Sequence, residues 1–322
     1  MKAFIQDRYG GADTLELREK PAPAPGRGEV LVGVRAVGID RGTWHLMHGL
    51  PLLMRLGTGF RGPRQPTPGR ALAGVVESVG EGGTRFAVGD EVFGTGSGSL
   101  AELVVASEGR LAGKPGSLTF AEAAAVPISA QTALQGLRNI GRVEAGQAVL
   151  VIGASGGVGS YAVQLAKAFG AEVTGVCSTG KADLVRALGA DHVIDYTRSD
   201  IAEGGRRYDL VLDIAGNRPV AELRRVLTDR GALVIVGGEG GGRVLGGLER
   251  QLGAVALSPF VRHRLTMFVA SENGADLETL TALVDRGAVR PAVDREFPFE
   301  SAPDAVRHFE SGQARGKVVV TL

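Results

Sequence analysis

The sequence predicts an α/β protein in which a doubly wound parallel sheet forms one of two domains. The chain has 322 residues, which is too long for one ordinary hydrophobic core. Valine-rich runs bounded by glycine and proline fill its first third, a pattern typical of β structure. From residue 148 onward, fully apolar strands alternate with amphipathic helices, which predicts a parallel sheet with helices on both faces.

The β-rich first third contains four candidate strands, within residues 29–40, 70–80, 90–94 and 99–107. Between the first two lies segment 50–66, which is apolar and basic and contains prolines. An irregular loop over the core explains this segment, and so does a pocket lining or a contact with a membrane surface.

The pattern changes near Thr119, which begins a capping-box sequence with Glu122. The helix formers that follow predict a helix that is broken at Pro127. The chain closes with one further helix and a final strand. Between these the sequence predicts, in order, a strand over 148–154, a helix over 158–170, a strand over 172–178, a helix over 181–189, strands over 192–196 and 208–216, a helix over 221–231, and strands over 232–238 and 266–270.

Charge and composition exclude several classes of partner. With 44% hydrophobic and 22% charged residues, the chain can bury a core and is not disordered. Its formal net charge of +1 provides no bulk attraction to nucleic acid, so no nucleic-acid partner is expected. No run approaches the roughly 20 apolar residues that span a bilayer, so no membrane span is expected.

Cysteine content and the N-terminal residues indicate the compartment. Cys177 is the only cysteine, which excludes an internal disulfide and a multi-cysteine zinc site. Charged residues interrupt the N-terminus before the apolar core of a signal peptide can form. We therefore expect a reducing, cytoplasmic setting.

A fully apolar strand at 148–154 leads through a glycine cluster directly into a helix. Glycines at such a turn let the backbone approach a pyrophosphate, and the helix N-terminus offers free N–H groups and the positive end of its dipole. Gly156 and Gly159 fit the last two positions of a Gly-x-Gly-x-x-Gly fingerprint, but Ala154 takes the first. The order of strand, turn, helix and strand favours dinucleotide binding over a turn that only packs strand against helix. The residues predicted to line the turn are Ala154, Ser155, Gly156, Gly157, Val158 and Gly159.

The end of the second strand distinguishes NADP from NAD. An NAD site usually places a carboxylate there to hold the ribose 2′-hydroxyl. This chain instead has Ser178, which can donate a hydrogen bond, and Lys181, which can supply a positive charge to a 2′-phosphate. We therefore expect NADP(H), although a solvated lysine in a first helical turn also explains Lys181. Tyr196, after the third strand, is a candidate for the adenosine end.

Several segments carry a family resemblance, namely GASGGVGSYAVQLAKAFGAEVTGVCST with LGADHVIDY, PGRALAGVVESVG, AVGDEVFG and ARGKVVVTL. In these the whole chain resembles the medium-chain dehydrogenase/reductase superfamily, in its zinc-free quinone oxidoreductase-like branch. The resemblance implies a GroES-like, mostly-β catalytic domain made from both chain ends, residues 1–122 and 271–322. A Rossmann NADP-binding domain, residues 123–270, is implied to be inserted between them, and a homodimer is also implied.

The departures from the family concern the metal and the substrate. Zinc-dependent members carry a cysteine where this chain has Asp40, and His-Glu where it has Arg70-Ala71. An aspartate and an arginine do not make a tetrahedral zinc site, so no metal is expected. Quinone reductase-like relatives usually read Asn-Pro-x-Asp before the aromatic residue of this loop, whereas residues 40–44 here read Asp-Arg-Gly-Thr-Trp. That difference leaves the polar groups of the active site, and so the substrate, open.

Positions carried over from the family complete the candidate site. Asp40 and Trp44 are implied to face the nicotinamide, and His45 is a candidate proton donor with an ordinary packing role as the alternative. Lys317 is implied to lie near the pocket, with a plain surface lysine as the alternative. Besides the glycine turn, the residues implied to contact the cofactor are Thr132, Ser178, Lys181, Tyr196, Gly216, Gly237, Gly238, Ser258, Phe260 and Lys317.

Three hypotheses for function follow. The first is an NADPH-dependent reductase of quinones or of C=C bonds conjugated to a carbonyl, which are small electrophilic substrates that need no metal for activation. The second is a zinc-free alcohol or carbonyl dehydrogenase, in which Asp40, Thr43 or His45 would polarise the carbonyl. The third is a sensor or scaffold that binds NADPH with little turnover.

Overall fold

The computed structural model describes residues 1–238 and 241–322. They divide into two compact units: the first is Met1–Gln131 with Glu272–Gly287 and Pro291–Leu322, and the second is Thr132–Ser271 with Ala288–Arg290. The first unit is thus built from both ends of the chain. The boundaries expected from the sequence, 1–122 with 271–322 and 123–270, stay a prediction; the division by contacts keeps residues 123–131 with the first unit.

The strands that the structure describes are β1 (Lys2–Ile5), β2 (Glu16–Glu19), β3 (Glu29–Ile39), β4 (Ala71–Val79), β5 (Glu91–Thr95), β6 (Leu103–Ser107), β7 (Leu111–Gly113), β8 (Ala148–Ile152), β9 (Glu172–Cys177), β10 (His192–Asp195), β11 (Tyr208–Asp213), β12 (Leu227–Ile235), β13 (Arg264–Met267), β14 (Val293–Pro298) and β15 (Lys317–Thr321). The α-helices are α1 (Arg41–His48), α2 (Arg55–Thr58), α3 (Phe120–Ala125), α4 (Pro127–Leu134), α5 (Gly157–Ala168), α6 (Ala182–Ala187), α7 (Val220–Arg225), α8 (Leu248–Leu257), α9 (Gly274–Asp285) and α10 (Ala302–Glu310). None of these helices is long and apolar enough to cross a membrane.

The first unit is built on a sheet with the strand order β14-β15-β3-β4-β5-β7, in which β6 also pairs with β3. The pairs are antiparallel except for β14 with β15. Alternate valines of β3 (Val30, Val32 and Val34) are buried in an apolar cluster with Phe4 and Phe299. Side chains alternate across a strand, so this spacing turns one face of β3 into the core. Because β3 ends at Ile39, the sheet delivers Asp40 and α1 directly from its centre.

The second unit contains a parallel sheet with the strand order β10-β9-β8-β11-β12-β13. Its central strands β8, β9 and β11 are buried on both faces, with Val149, Leu150 and Val151 of β8 fully inaccessible. That burial is why β8 reads as an unbroken apolar run rather than an alternating one. The parallel sheet predicted from the alternation of strands and helices is confirmed. Because the strands are parallel, the turns that follow β8, β9, β11 and β12 lie at the same edge of the sheet.

Local signals are confirmed in some places and wrong in others. The capping box at Thr119 and Glu122 is formed, and Pro127 begins α4 after α3 ends. The helix expected over 221–231 is too long: α7 ends at Arg225, because Leu227 is buried and pairs with Tyr208 as the first residue of β12.

Candidate active site

The turn after β8 has the form that a pyrophosphate requires. Gly156 stands at the N-cap of α5, and no side chain caps the helix there. The first-turn N–H groups of this helix therefore have no side-chain acceptor at the N-cap, which is the arrangement in which an anion serves as the cap. A Cβ atom built on Gly159 would lie 2.1 Å from the carbonyl oxygen of Gly153, so a larger residue would push the helix away from the turn. Ala154 is fully buried, whereas Val158 is partly exposed on the first turn.

The turn after β9 places the residues expected at the 2′-phosphate. Ser178 precedes a 3₁₀ turn over Thr179–Lys181, and the backbone N–H of Lys181 donates to the Ser178 carbonyl at 3.0 Å. The Lys181 side chain is partly exposed, and Tyr196 is 55% exposed after β10. The geometry brings Ser178 and Lys181 together; their contact with a phosphate stays a prediction.

A carboxylate that sequence reasoning missed stands beside this turn. Asp195 ends β10 and lies in register with Cys177 of β9. Its carboxylate accepts hydrogen bonds from the hydroxyls of Thr179 and Thr197. The hydrogen bond from Thr179, followed by that from Thr197, lowers the pKa of Asp195, which keeps the group ionised. Although β9 does not end on a carboxylate, the neighbouring strand β10 therefore places one beside the same turn.

The turns after β11 and β12 approach each other closely. A Cβ atom built on Gly216, which has φ of 66°, would lie 2.2 Å from the Gly237 carbonyl oxygen and 2.6 Å from the Gly238 nitrogen. Only glycine fits such a position without displacing backbone. The three glycines named from the family thus lie together, as a paired turn at the edge where the glycine turn of β8 also lies.

Beneath these turns lies a buried ion pair that sequence reasoning also missed. Asp213 ends β11 with no exposed side-chain surface, and one carboxylate oxygen accepts from the Gly216 N–H at 3.1 Å. The other oxygen pairs with the guanidinium of Arg250 in α8, whose Nε donates to the Arg218 carbonyl at 2.6 Å. Burial raises the pKa of Asp213, and Arg250 opposes that shift. The one sequence signal was an aspartate that directly follows the apolar run Leu210–Leu212 at the end of the strand.

The remaining cofactor candidates in the second unit are less clearly arranged for a ligand. Ser258 begins a 3₁₀ turn, and its hydroxyl accepts from the Leu265 N–H at 3.0 Å. Phe260 ends the same turn with 84% of its surface exposed. Thr132 lies within α4. Their roles stay predictions.

The catalytic candidates of the first unit lie at the start of α1. Asp40 is 4% exposed and caps the helix, because its Oδ1 accepts from the Thr43 N–H at 2.8 Å. The Trp44 ring stacks on His48 with centroids 4.4 Å apart, and the guanidinium of Arg41 lies 4.6 Å from the Trp44 ring centroid. The Asp40 carboxylate is therefore both a site candidate and the group that fixes the helix carrying Trp44.

His45 is held in one orientation. Its Nδ1 lies 2.7 Å from the Leu50 carbonyl oxygen, so Nδ1 carries the proton that it donates. Burial lowers the pKa of His45, and the Leu50 carbonyl only partly opposes this. The imidazole is accordingly neutral at neutral pH, with Nε2 as an acceptor, which makes His45 a poor source of a proton.

Lys317 is buried, so the surface interpretation of this residue is wrong. It is 2% exposed, and its Nζ donates to the Ile39 carbonyl at 2.9 Å and to the Ser129 hydroxyl at 3.1 Å. Burial lowers the pKa of Lys317, and the negative charge of Asp40 opposes the shift. Its proposed contact with the cofactor is not tested by these bonds and stays a prediction.

The positions at which the family resemblance would place zinc ligands hold other residues here. The guanidinium of Arg70 forms an ion pair of 2.6 Å with Glu272, and Ala71 is buried in β4. Within residues 1–238 and 241–322, no group of three or more histidine, cysteine, aspartate or glutamate side chains is arranged to hold a metal ion.

Comparison with known proteins agrees with this architecture. Residues 26–135 match the family described as alcohol dehydrogenase GroES-like domain, and residues 188–320 match that described as zinc-binding dehydrogenase. A 2-methylene-furan-3-one reductase of Solanum lycopersicum is 34% identical over 99% of this chain and 79% of its own length. An NADPH-dependent alkenal/one oxidoreductase of Arabidopsis thaliana is 35% identical over the same shares of the two chains.

Solved structures show the same fold. The quinone oxidoreductase of Coxiella burnetii superposes with a TM-score of 0.84 at 27% identity, over 100% of this chain and 99% of its own. A mycobacterial protein solved with NADPH superposes with a TM-score of 0.84 at 25% identity, over the whole of both chains. The chain therefore belongs to the medium-chain dehydrogenase/reductase superfamily. Within it, the chain falls in the quinone oxidoreductase-like branch, which confirms the resemblance, the GroES-like domain and the Rossmann sheet expected from the sequence.

Proposed function

We propose that this protein is an NADPH-dependent oxidoreductase that transfers a hydride to quinones, or to C=C bonds conjugated with a carbonyl, without zinc. At the coarser level, it is an oxidoreductase of the medium-chain family that uses NADP(H). Relatives named as alkenal/one and quinone oxidoreductases support the finer statement, as does the set of residues at the metal-ligand positions.

The residues of the second unit fit a dinucleotide. The helix that begins without a side-chain cap at Gly156 would hold the pyrophosphate through its first N–H groups, and Gly159 keeps that helix close to the turn. Ser178 and Lys181 are the candidates for the 2′-phosphate. When bound, NADPH supplies the hydride, so the protein's task is to bind, orient and exclude water.

The residues at the expected zinc-ligand positions of the first unit favour a substrate that is already electrophilic. Oxidising an unactivated alcohol to a carbonyl requires loss of its hydroxyl proton as the hydride leaves. In the metal enzymes, zinc acts as a Lewis acid that stabilises the resulting alkoxide. Here Arg70 is paired with Glu272 and Ala71 has no polar group, so neither offers a ligand. Without such stabilisation, an uncompensated negative charge in an apolar pocket is expensive. A quinone or enone avoids this cost because the charge spreads over a conjugated system.

The proton that completes the reduction does not require a strong acid in the protein. His45 is neutral and donates Nδ1–H to the Leu50 carbonyl, so it orients the loop rather than supplies the proton. Asp40 accepts the Thr43 N–H, which uses one carboxylate oxygen for the helix cap. Solvent therefore serves as the proton donor in this proposal.

One observation supports the proposal most: a helix that begins at a glycine turn without a side-chain cap occurs in a chain whose expected metal-ligand positions hold a helix cap and an ion pair. The test is steady-state NADPH oxidation with a panel of quinones, enones and aldehydes, after dialysis against a chelator, beside NADP⁺ reduction with primary and secondary alcohols. We expect turnover with conjugated acceptors alone. Efficient metal-free alcohol oxidation without reduction of any conjugated acceptor would refute the proposal, and cofactor binding without any turnover would favour a sensor.

The homodimer and the cytoplasmic setting expected from the sequence stay predictions. Relatives in this group carry the words chloroplastic and mitochondrial in their names. Light scattering and cell fractionation are the direct measurements of these two properties.

A further inference from the structure

We propose that Lys317 is a positioning residue that sets the start of α1, and with it Asp40 and Trp44, instead of a residue that touches the cofactor. Its kinetic consequence depends on the function proposed above, whereas its structural consequence does not. The proposal is supported by the buried bonds of the ammonium, by where its partners lie in the chain, and by the cap that follows them.

The ammonium of Lys317 is fixed within the sheet. β15 runs antiparallel to β3, with Val318 opposite Ile39, so Lys317 begins its strand beside the end of β3. Its side chain is 2% exposed and reaches the Ile39 carbonyl at 2.9 Å. A buried ammonium without partners is costly, so hydrogen bonds of this kind are what keep the group in place.

The Ile39 carbonyl is the last backbone acceptor before the N-cap of α1. The next residue, Asp40, is the N-cap of α1 and accepts the Thr43 N–H. Fixing the orientation of the peptide group between Ile39 and Asp40 therefore determines where the N-cap lies, and hence where the first turn of α1 lies. The negative charge of Asp40 and the ammonium of Lys317 also attract each other.

A second hydrogen bond ties the same ammonium to another element. The Ser129 hydroxyl of α4 lies 3.1 Å from Nζ, so one side chain joins β15, β3 and α4. Methionine has an unbranched side chain of similar length, but it donates no hydrogen bond. Replacing the lysine by methionine thus removes the two bonds while keeping most of the packing.

The fluorescence of Trp44 can report the position of α1. Trp44 is the only tryptophan, and it lies in α1, stacked on His48 and next to the guanidinium of Arg41. Its emission reports the position and solvent exposure of α1 without any need for substrate or turnover. A shift of the helix start therefore becomes visible in a measurement that is independent of activity.

The experiment compares Lys317→Met and Ser129→Ala with the control Val320→Ala. Val320 lies on the same strand but belongs to the apolar cluster on the other face, so its truncation weakens packing without touching the ammonium. For Lys317→Met we expect a shifted Trp44 emission, more acrylamide quenching, and a loss in kcat of about 10- to 100-fold, the range that a misplaced catalytic group produces. The NADPH dissociation constant should stay within about threefold of wild type, which is under 1 kcal/mol.

Ser129→Ala removes one of the two acceptors and should give an intermediate effect on both readouts, which keeps the proposal testable if Lys317→Met does not fold. Val320→Ala should lower the melting temperature but keep the emission and kcat of wild type. Unchanged emission and kcat in Lys317→Met would overturn the proposal. The proposal would also be overturned if Val320→Ala showed the same change in emission and the same loss of kcat. It would likewise be overturned if Lys317→Met lost NADPH binding while the Trp44 emission stayed that of wild type. If the wild-type protein reduced none of the acceptors, the proposed function would be refuted. The Trp44 emission of the variants would still test the positioning role of Lys317.

Discussion

Replacing Arg250 by methionine should strongly destabilise the second unit. The substitution leaves the Asp213 carboxylate, which has no exposed surface, with the Gly216 N–H at 3.1 Å and without its cation. Removing one partner of a buried ion pair costs about 3–5 kcal/mol, because it leaves an uncompensated charge in the interior. At about 2–4 °C per kcal/mol for a domain near this size, the melting temperature of that transition should fall by about 6–20 °C.

The opposite substitution should cost less, since the two partners are not equally buried. In Asp213→Asn the amide oxygen still accepts the Gly216 N–H, and the orphaned guanidinium retains 17% exposure with its bond to the Arg218 carbonyl. The double variant Asp213→Asn with Arg250→Met should also be more stable than Arg250→Met alone, since no charge is left buried. Arg243→Met, which changes an exposed arginine seven residues earlier in the chain, is the matched control and should be near neutral.

The pH dependence of Arg250→Met gives a further check on the same reasoning. Burial already raises the pKa of Asp213, and loss of the opposing Arg250 charge should raise it further. The folded state then binds a proton that the unfolded state, with an aspartate pKa near ~3.9, has already lost. Stability is therefore lost as pH rises through this window, and the deficit of Arg250→Met should be smaller at pH 5 than at pH 7.5. Thermal melts at both pH values measure this; an equal or larger deficit at pH 5, or a loss below about 1 kcal/mol at pH 7.5, would show that the carboxylate is not stranded.

Lys181→Ala should weaken NADPH binding by about tenfold, because it removes a partly exposed, charge-assisted contact, and should leave NADH nearly unchanged; equal losses in a fluorescence titration would place the lysine's effect in folding. Asp195→Asn should shift selectivity toward NADPH, because it removes a negative charge beside the same turn, and a shift toward NADH in the same titration would contradict this. Elemental analysis of the purified protein should find no stoichiometric zinc, and bound zinc on which activity depends would end the metal-free proposal.

The parallel sheet was predictable because each of its signals is local. An apolar run such as β8 is typical of a strand covered on both faces, and a glycine turn that leads from it into a helix is typical of a close approach of backbone to an anion. The capping box at Thr119 is likewise complete within four residues. Such features depend on the chemistry of neighbours in sequence, which periodicity and spacing report directly.

The contacts that order the candidate site join residues far apart in the chain, which periodicity does not report. Lys317 and Ser129 are separated by 188 residues, and Arg70 and Glu272 by 202. A lysine is ordinarily assigned to the surface, because its charge is costly to bury. The one sign in the sequence was the unbroken run of three valines after Lys317, which is typical of a strand that is buried on both faces. Alternation tells which face a side chain occupies, but the partner on that face depends on the topology.

The two departures from the zinc-binding pattern are consistent with each other in the folded protein. Asp40 accepts the Thr43 N–H as the cap of α1, and the ammonium of Lys317 holds the peptide before it. Arg70 is paired with Glu272. A metal at these positions would have to displace a helix cap and a short ion pair, and the arginine would oppose its charge. The polar side chains at these positions are thus engaged in ordering the protein. We therefore propose that conjugation makes the substrate electrophilic enough to accept a hydride, and that the protein positions it.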